Sequence, residues 1–102
     1  MVIYISGKIT GTDDYMERFD DAERKLKEQG WRVVNPARKN ARFPAGTSWE
    51  TYMRESIRLL SRADAIYLLR GWRQSRGAVL EHQIAVTLGM TIITQGQRGD
   101  VE

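Results

Sequence analysis

Strand and helix signals alternate along the whole of this 102-residue chain, which predicts an α/β domain built on a parallel sheet of about four strands. Two observations carry that expectation. Short runs rich in β-branched and aromatic residues recur at regular intervals, and apolar residues at helical spacing fill the stretches between them. No repeat, linker or low-complexity segment interrupts the alternation. Consecutive β–α–β units of this kind join through right-handed crossovers and leave helices on both faces of the sheet.

Val2 to Ser6 reads as the first strand, followed by the glycine-punctuated loop Gly7-Lys8-Ile9-Thr10-Gly11-Thr12. A helix is expected from about Asp13 to Gln29, with Tyr15, Phe19, Ala22 and Leu26 on one face and Gly30 ending it. Trp31 to Val34 is a short second strand closed by Asn35-Pro36, and Ala37 to Gly46 reads as a loop carrying Arg38, Lys39 and Arg42. Thr47 to Glu50 matches a capping box opening a helix from Ser48 to about Ser61, with Trp49, Tyr52, Met53, Ser56, Ile57 and Leu60 inward. Asp64 to Leu69 is the third strand, Arg70 to Ser75 its exit loop, Arg76 to Leu88 the third helix, and Thr91 to Thr94 the last strand. The expected architecture is a three-layer Rossmann/flavodoxin-like sandwich: one domain over residues 1–95 and a frayed tail over 96–102. In such sheets ligands bind beyond the carboxyl ends of the strands, so the chemistry belongs to the loops after the first three strands.

Composition narrows the classes further. The chain has no cysteine and one histidine, which excludes disulfides, thiolate metal sites and cysteine nucleophiles and argues against a protein-only metal cage. Neither a metal nor an organic cofactor is expected. The apolar run at the start stops after five residues, too short for a signal-peptide core or a membrane span; a cytoplasmic protein is the expectation. Sixteen basic against thirteen acidic residues give a net charge of +3. That mild excess suits an anionic small molecule, and a nucleic-acid partner rests on nothing more than the pI and the basic loop.

Projected at about 100° per residue, the third helix gathers Gly77, Ala78, Ile84, Ala85 and Leu88 on one side with Glu81 in their midst, while His82, Gln83 and Thr87 point elsewhere. A glutamate is rarely buried unless it is paired or used. The positive end of the helix dipole favours its ionised form, and Gly77 leaves space in front of it. A structural glutamate bonded to a neighbouring loop is the competing reading. The Gly7–Thr12 amides offer an anion cradle, although neither G-x-x-x-x-G-K-S/T nor G-x-G-x-x-G is present and an ordinary βα turn accounts for the loop as well. Ser75 caps the third helix or donates to a phosphate there. Tyr4 projects on the same side as Val2 and Ser6; a buried tyrosine needs a partner for its hydroxyl.

Four segments together resemble the nucleoside 2-deoxyribosyltransferase-like superfamily, especially its short bacterial and phage branch. They are Tyr4-Ile5-Ser6-Gly7-Lys8-Ile9-Thr10-Gly11, Asn35-Pro36, Ala63-Asp64-Ala65-Ile66-Tyr67-Leu68-Leu69, and Gly71 to Glu81 with its Ser-x-Gly-x-x-x-Glu element. The resemblance spans nearly the whole chain. It implies cleavage of the N-glycosidic bond of a nucleoside or nucleoside 5′-monophosphate, with Glu81 as nucleophile and Tyr4 orienting the nucleophile or the sugar. It further implies a serine at position 75 where monophosphate hydrolases carry one and nucleoside transferases carry an acid. The implied phosphate cradle is Gly7, Lys8, Thr10, Gly11, Ser75 and Gly77, with Asn35 accessory. Two departures stand out: Ser56 replaces the family aspartate that assists departure of the base, and Thr10 stands where some hydrolases carry an arginine. The expected function is a (deoxy)ribonucleoside 5′-monophosphate N-glycosidase working as a homodimer or larger homo-oligomer. The alternatives are a nucleoside 2-deoxyribosyltransferase and a nucleotide sensor without turnover.

Overall fold

In the computed structural model, Val2–Ser6 forms β1 at the centre of the sheet, and the structure describes residues 1–9 and 11–96. The expectations made for Thr10 and for the tail beyond Gly96 lie outside the described residues. β1 pairs in parallel with β2 (Arg32–Val34) on one side, Ile3 opposite Val33, and with β3 (Ala65–Leu68) on the other, Tyr4 opposite Ile66 and Ser6 opposite Leu68. β3 in turn pairs with β4 (Thr91–Thr94), giving a four-stranded parallel sheet in the order β2-β1-β3-β4. The order reverses direction between β1 and β3. At such a switch point the connections leave the strand ends on opposite sides and open a crevice.

Alternation of side chains along β1 divides the core. Ile3 and Ile5 pack with Phe19, Ala22 and Leu26 of α1 (Tyr15–Glu28) and with Ala37. Tyr4 faces the other layer, where it joins Leu60 of α3 (Trp49–Leu60) and Ala78 and Ala85 of α4 (Arg76–Thr87). Both layers close on the central strands β1 and β3, whose residues are mostly buried on both faces, hence their largely apolar character.

Four local features differ from the sequence expectation. The stretch after the second strand is not all loop, because Pro36–Asn40 forms α2. Asn35 caps it by accepting from the Ala37 N–H at 3.1 Å, and Pro36 occupies its first turn, where a missing N–H costs nothing. α3 is capped one residue later than the capping box implied: Ser48 Oγ accepts from the Thr51 N–H at 3.2 Å, while Thr47 donates to the Pro44 carbonyl. The exit loop of β3 contains a single 3₁₀ turn at Trp72–Gln74 that buries the Trp72 indole. Leu88, projected inward, ends α4 at 58% exposure.

The turn out of β1 is closely packed. A Cβ on Gly7 would stand 2.9 Å from Leu69 Cδ1 and 3.0 Å from Leu69 Cβ, and Leu69 is itself fully buried. Gly7→Ala should therefore destabilise the fold by ~1–3 kcal/mol, the usual cost of an overpacked contact. Urea unfolding checks this, and an unchanged midpoint would show that Leu69 yields freely.

Candidate active site

Glu81 lies in the second turn of α4 on the side facing the sheet, and only 6% of it is exposed. Tyr4 and Ser6, two residues apart on β1, present their hydroxyls to it from the same face. Tyr4 Oη donates to Glu81 Oε2 at 2.5 Å and Ser6 Oγ donates to Oε1 at 2.6 Å. Each carboxylate oxygen thus receives one neutral hydroxyl. Among the described residues no cation pairs with the group.

The electrostatics follow from burial. Removal from water raises the Glu81 carboxyl from 4.5 to about 7, against the lowering effect of the bonds from Ser6 and Tyr4. Burial, the adjacent carboxylate and the hydrogen bond to it drive Tyr4 well above its ordinary value, while the nearby Ser56 hydroxyl pulls the other way. The proton between Tyr4 and Glu81 accordingly stays on the phenol. The arrangement is a carboxylate poised near neutrality and fixed in direction by two O–H donors.

Glu81 borders a cavity of about 360 Å³ at the carboxyl end of β1, of the size small-molecule sites occupy. Ser75 and Gly77 line it from the start of α4, and Ser56 and Met53 from α3. Ser75 Oγ caps α4 by accepting from the Ala78 N–H at 3.1 Å, which leaves its own hydrogen free to donate. A Cβ on Gly77 would stand 3.0 Å from Met53 Sδ, so the glycine lets the first turn of α4 pack closely against α3 beside the cavity. The first N–H groups of a helix lack intrahelical acceptors and carry the positive end of its dipole. An anion is the natural occupant of that side.

Several residues singled out in the sequence stand together here: Tyr4, Gly7, Ser56, Ser75, Gly77 and Glu81 all line the cavity. Lys8 and Gly11 are absent from its lining. Arg18 donates to the Lys8 carbonyl at 3.0 Å, and Gly11 takes a φ of 81°, a turn conformation suited to glycine. Asn35 is likewise outside the cavity. Its amide is committed to the α2 cap and to Asp20 and Glu23, each at 3.0 Å. Arg38, expected in a basic loop and found in α2, is tied to the same Asp20, at 2.9 Å. Among the described residues no cluster of three His, Cys, Asp or Glu side chains is placed to hold a metal. No described helix is long and apolar enough to cross a membrane.

The sequence reading overlooked Ser6, although it shares the strand parity of Tyr4. It also overlooked the aromatic wall opposite α4. Phe43 and Tyr52 meet edge to face at 5.0 Å, and the Arg76 guanidinium lies 3.9 Å over the Trp49 ring. Phe43, Trp49 and Tyr52 all border the cavity with Tyr15. An apolar Phe43 inside an otherwise basic loop was the available signal.

Comparison with solved structures places this fold among known ones. A 2-deoxyribosyltransferase from the psychrotolerant bacterium Bacillus psychrosaccharolyticus superimposes with a TM-score of 0.74 over 92% of this chain and 71% of that one, at 16% sequence identity. The protein thus has the α/β fold of a nucleoside deoxyribosyltransferase. No curated protein matches the chain. Residues 1–94 match the family described as a domain of unknown function, DUF4406, and the chain belongs to that family.

Proposed function

We propose that this protein is an N-glycosidase that cleaves the base–sugar bond of a (deoxy)ribonucleoside 5′-monophosphate, with Glu81 as nucleophile. The observation that carries the proposal is the buried Glu81 carboxylate, aimed by Tyr4 and Ser6 at the border of a nucleotide-sized cavity. As the base leaves, C1′ gains oxocarbenium character, which a fixed carboxylate in a dry site stabilises. The C1′–N bond breaks with its electron pair going to the base, and a Glu81 oxygen closes on C1′ to form an ester. Water then attacks C1′ and breaks the ester, its oxygen becoming the sugar hydroxyl, one of its protons ending on the released base, and the carboxylate returning, as in retaining glycosidases. Ser75 and the amides at Gly77 and Gly7 receive the phosphate, a neutral hydroxyl at position 75 donating where an acid would repel. Homo-oligomerisation, a cytoplasmic setting, and hydrolysis in place of transfer to a second base belong to the same proposal.

Glu81 is the only carboxylate among the described residues lining the cavity. Among the described residues no second acid lines the cavity to protonate the departing base, and position 56 is a buried serine beside Tyr4. Slow turnover is the expected consequence. The same observation favours a second reading, a nucleotide sensor that binds without cleaving. Incubation with a panel of nucleoside monophosphates and chromatography for free base separates the two: released base supports the glycosidase, and thermal stabilisation without release supports the sensor. Adding a second base as acceptor distinguishes transfer from hydrolysis.

The nucleophile acts ionised, so its raised pKa sets an acid limb. The value of kcat/KM should climb with pH and level off above about 7. Tyr4→Phe or Ser6→Ala removes a donor that holds the carboxyl down, and should move the limb to higher pH. The substrate phosphate titrates at about 6 in every variant, so that displacement belongs to the enzyme. A limb identical in wild type and both variants would contradict the assignment.

A further inference from the structure

The cavity holds one ionisable acid, Glu81, and no lysine or arginine among the described residues lines it. A phosphate entering beside an ionised glutamate meets repulsion, so a cation has to come from the rim. Arg76, the first residue of α4, stands there. Its side chain is exposed, its guanidinium lies 3.9 Å over the Trp49 ring, and no carboxylate among the described residues pairs with it. Its neighbours on either side, Ser75 and Gly77, line the cavity, and so does Trp49. The guanidinium therefore rests on a ring of the cavity wall, a side chain's length from the Ser75 hydroxyl. Lys8 is likewise flanked by lining residues, but its chain runs towards Gly11, which lies outside the lining.

A cation stacked on a ring that water still reaches is held weakly. A guanidinium and a phosphate, by contrast, join through two parallel charge-assisted N–H···O bonds, among the strongest that side chains make. Exposed side chains change rotamer on the nanosecond scale, so the ring does not detain Arg76 once a phosphate arrives. Resting on the nucleotide reading above, we infer that Arg76 is the specificity-determining residue for the phosphate: its guanidinium turns from Trp49 to the 5′-phosphate held beside Ser75. Ser75 supplies a neutral hydrogen bond, and Arg76 supplies the charge that offsets Glu81. The site selects the phosphorylated nucleotide and discriminates against the free nucleoside, which offers Arg76 no anion and leaves it on the indole.

Calorimetric titration with matched nucleosides and nucleoside 5′-monophosphates, over a panel of bases, tests this without requiring turnover. The wild type should bind the monophosphate of at least one base about tenfold or more tightly than its nucleoside. Arg76→Leu, which keeps an apolar chain beside Trp49, should erase that preference and leave nucleoside affinity unchanged. Arg76→Lys, a charge without the planar fork, should retain part of it, and Lys8→Met should leave it whole. Equal binding of nucleoside and monophosphate by the wild type, or failure of both to bind for every base, overturns the inference. So does a preference that survives Arg76→Leu, or an Arg76→Leu variant that loses nucleoside and monophosphate affinity alike, which would mark a structural residue. Base release is scored separately: a protein that selects the phosphate through Arg76 but frees no base keeps this inference and loses the glycosidase. A protein that frees base from monophosphates while Arg76→Leu keeps the preference retains the glycosidase and loses the inference.

Discussion

Glu81→Gln should abolish base release while leaving the domain folded, with kcat reduced by about three orders of magnitude or more. The amide matches the carboxylate in size, still accepts from Tyr4, and donates to Ser6 Oγ once that hydroxyl turns. What is lost is the negative charge that stabilises the developing cation and the oxygen nucleophile that captures C1′. Since one group supplies both, no partial activity should persist at high pH. Chromatographic assay of free base checks this beside a far-ultraviolet circular dichroism spectrum. Residual release within tenfold of wild type, in a folded variant, would remove Glu81 from the reaction.

The same substitution should stabilise the protein, and only above acidic pH. A carboxyl raised from 4.5 to about 7 keeps its proton in the folded state over a window in which the unfolded chain has already ionised. Stability is fully present below about 4.5 and falls as pH rises towards about 7. Above that, the buried charge costs the wild type ~3 kcal/mol by the linkage relation. Gln carries no such penalty. At pH ~8 the variant should therefore melt higher by on the order of 10 °C for a domain this size, with the gap closing as the pH approaches about 4.5. A variant that melts lower than wild type at every pH would mean that Glu81 is a structural hydrogen-bonding residue. A site that lowers its own stability to hold a charge fits catalysis better than architecture.

Most of the frame was legible because strand and helix periods differ and their alternation leaves few topologies. The inward placement of Glu81 needed only the helical projection of α4, since a carboxylate among Gly77, Ala78 and Ala85 breaks the apolar pattern on the sheet-facing side, whereas its role as nucleophile came from the family resemblance. The side on which Tyr4 projects followed from alternation along β1. Ser6 shares that parity and escaped notice because a small hydroxyl looks unremarkable at a strand end; its role appears only when α4 brings Glu81 within 2.6 Å. α2 was hidden by its brevity, although Asn35-Pro36 carries a cap followed by a first-turn proline. With α2 read as loop, Phe43 had no wall to belong to. Lys8 shows the opposite difficulty. A lysine beside a glycine loop invites a phosphate role, but the path of the loop depends on backbone angles that sequence does not reveal, and the cavity is built without it. Asn35 was drawn towards the site by motif and held away from it by its cap.

The most direct test is a quenched incubation of the protein with a 2′-fluoro-substituted nucleoside 5′-monophosphate, followed by peptide mass spectrometry. Fluorine beside C1′ destabilises the oxocarbenium-like transition states of both steps, so a base that leaves readily is chosen to let the ester form faster than water removes it. We expect the mass of the sugar phosphate, without its base, on the peptide containing Glu81 and on its carboxylate in particular. Base release with that peptide unmodified, or with the sugar attached to another residue, would contradict the account.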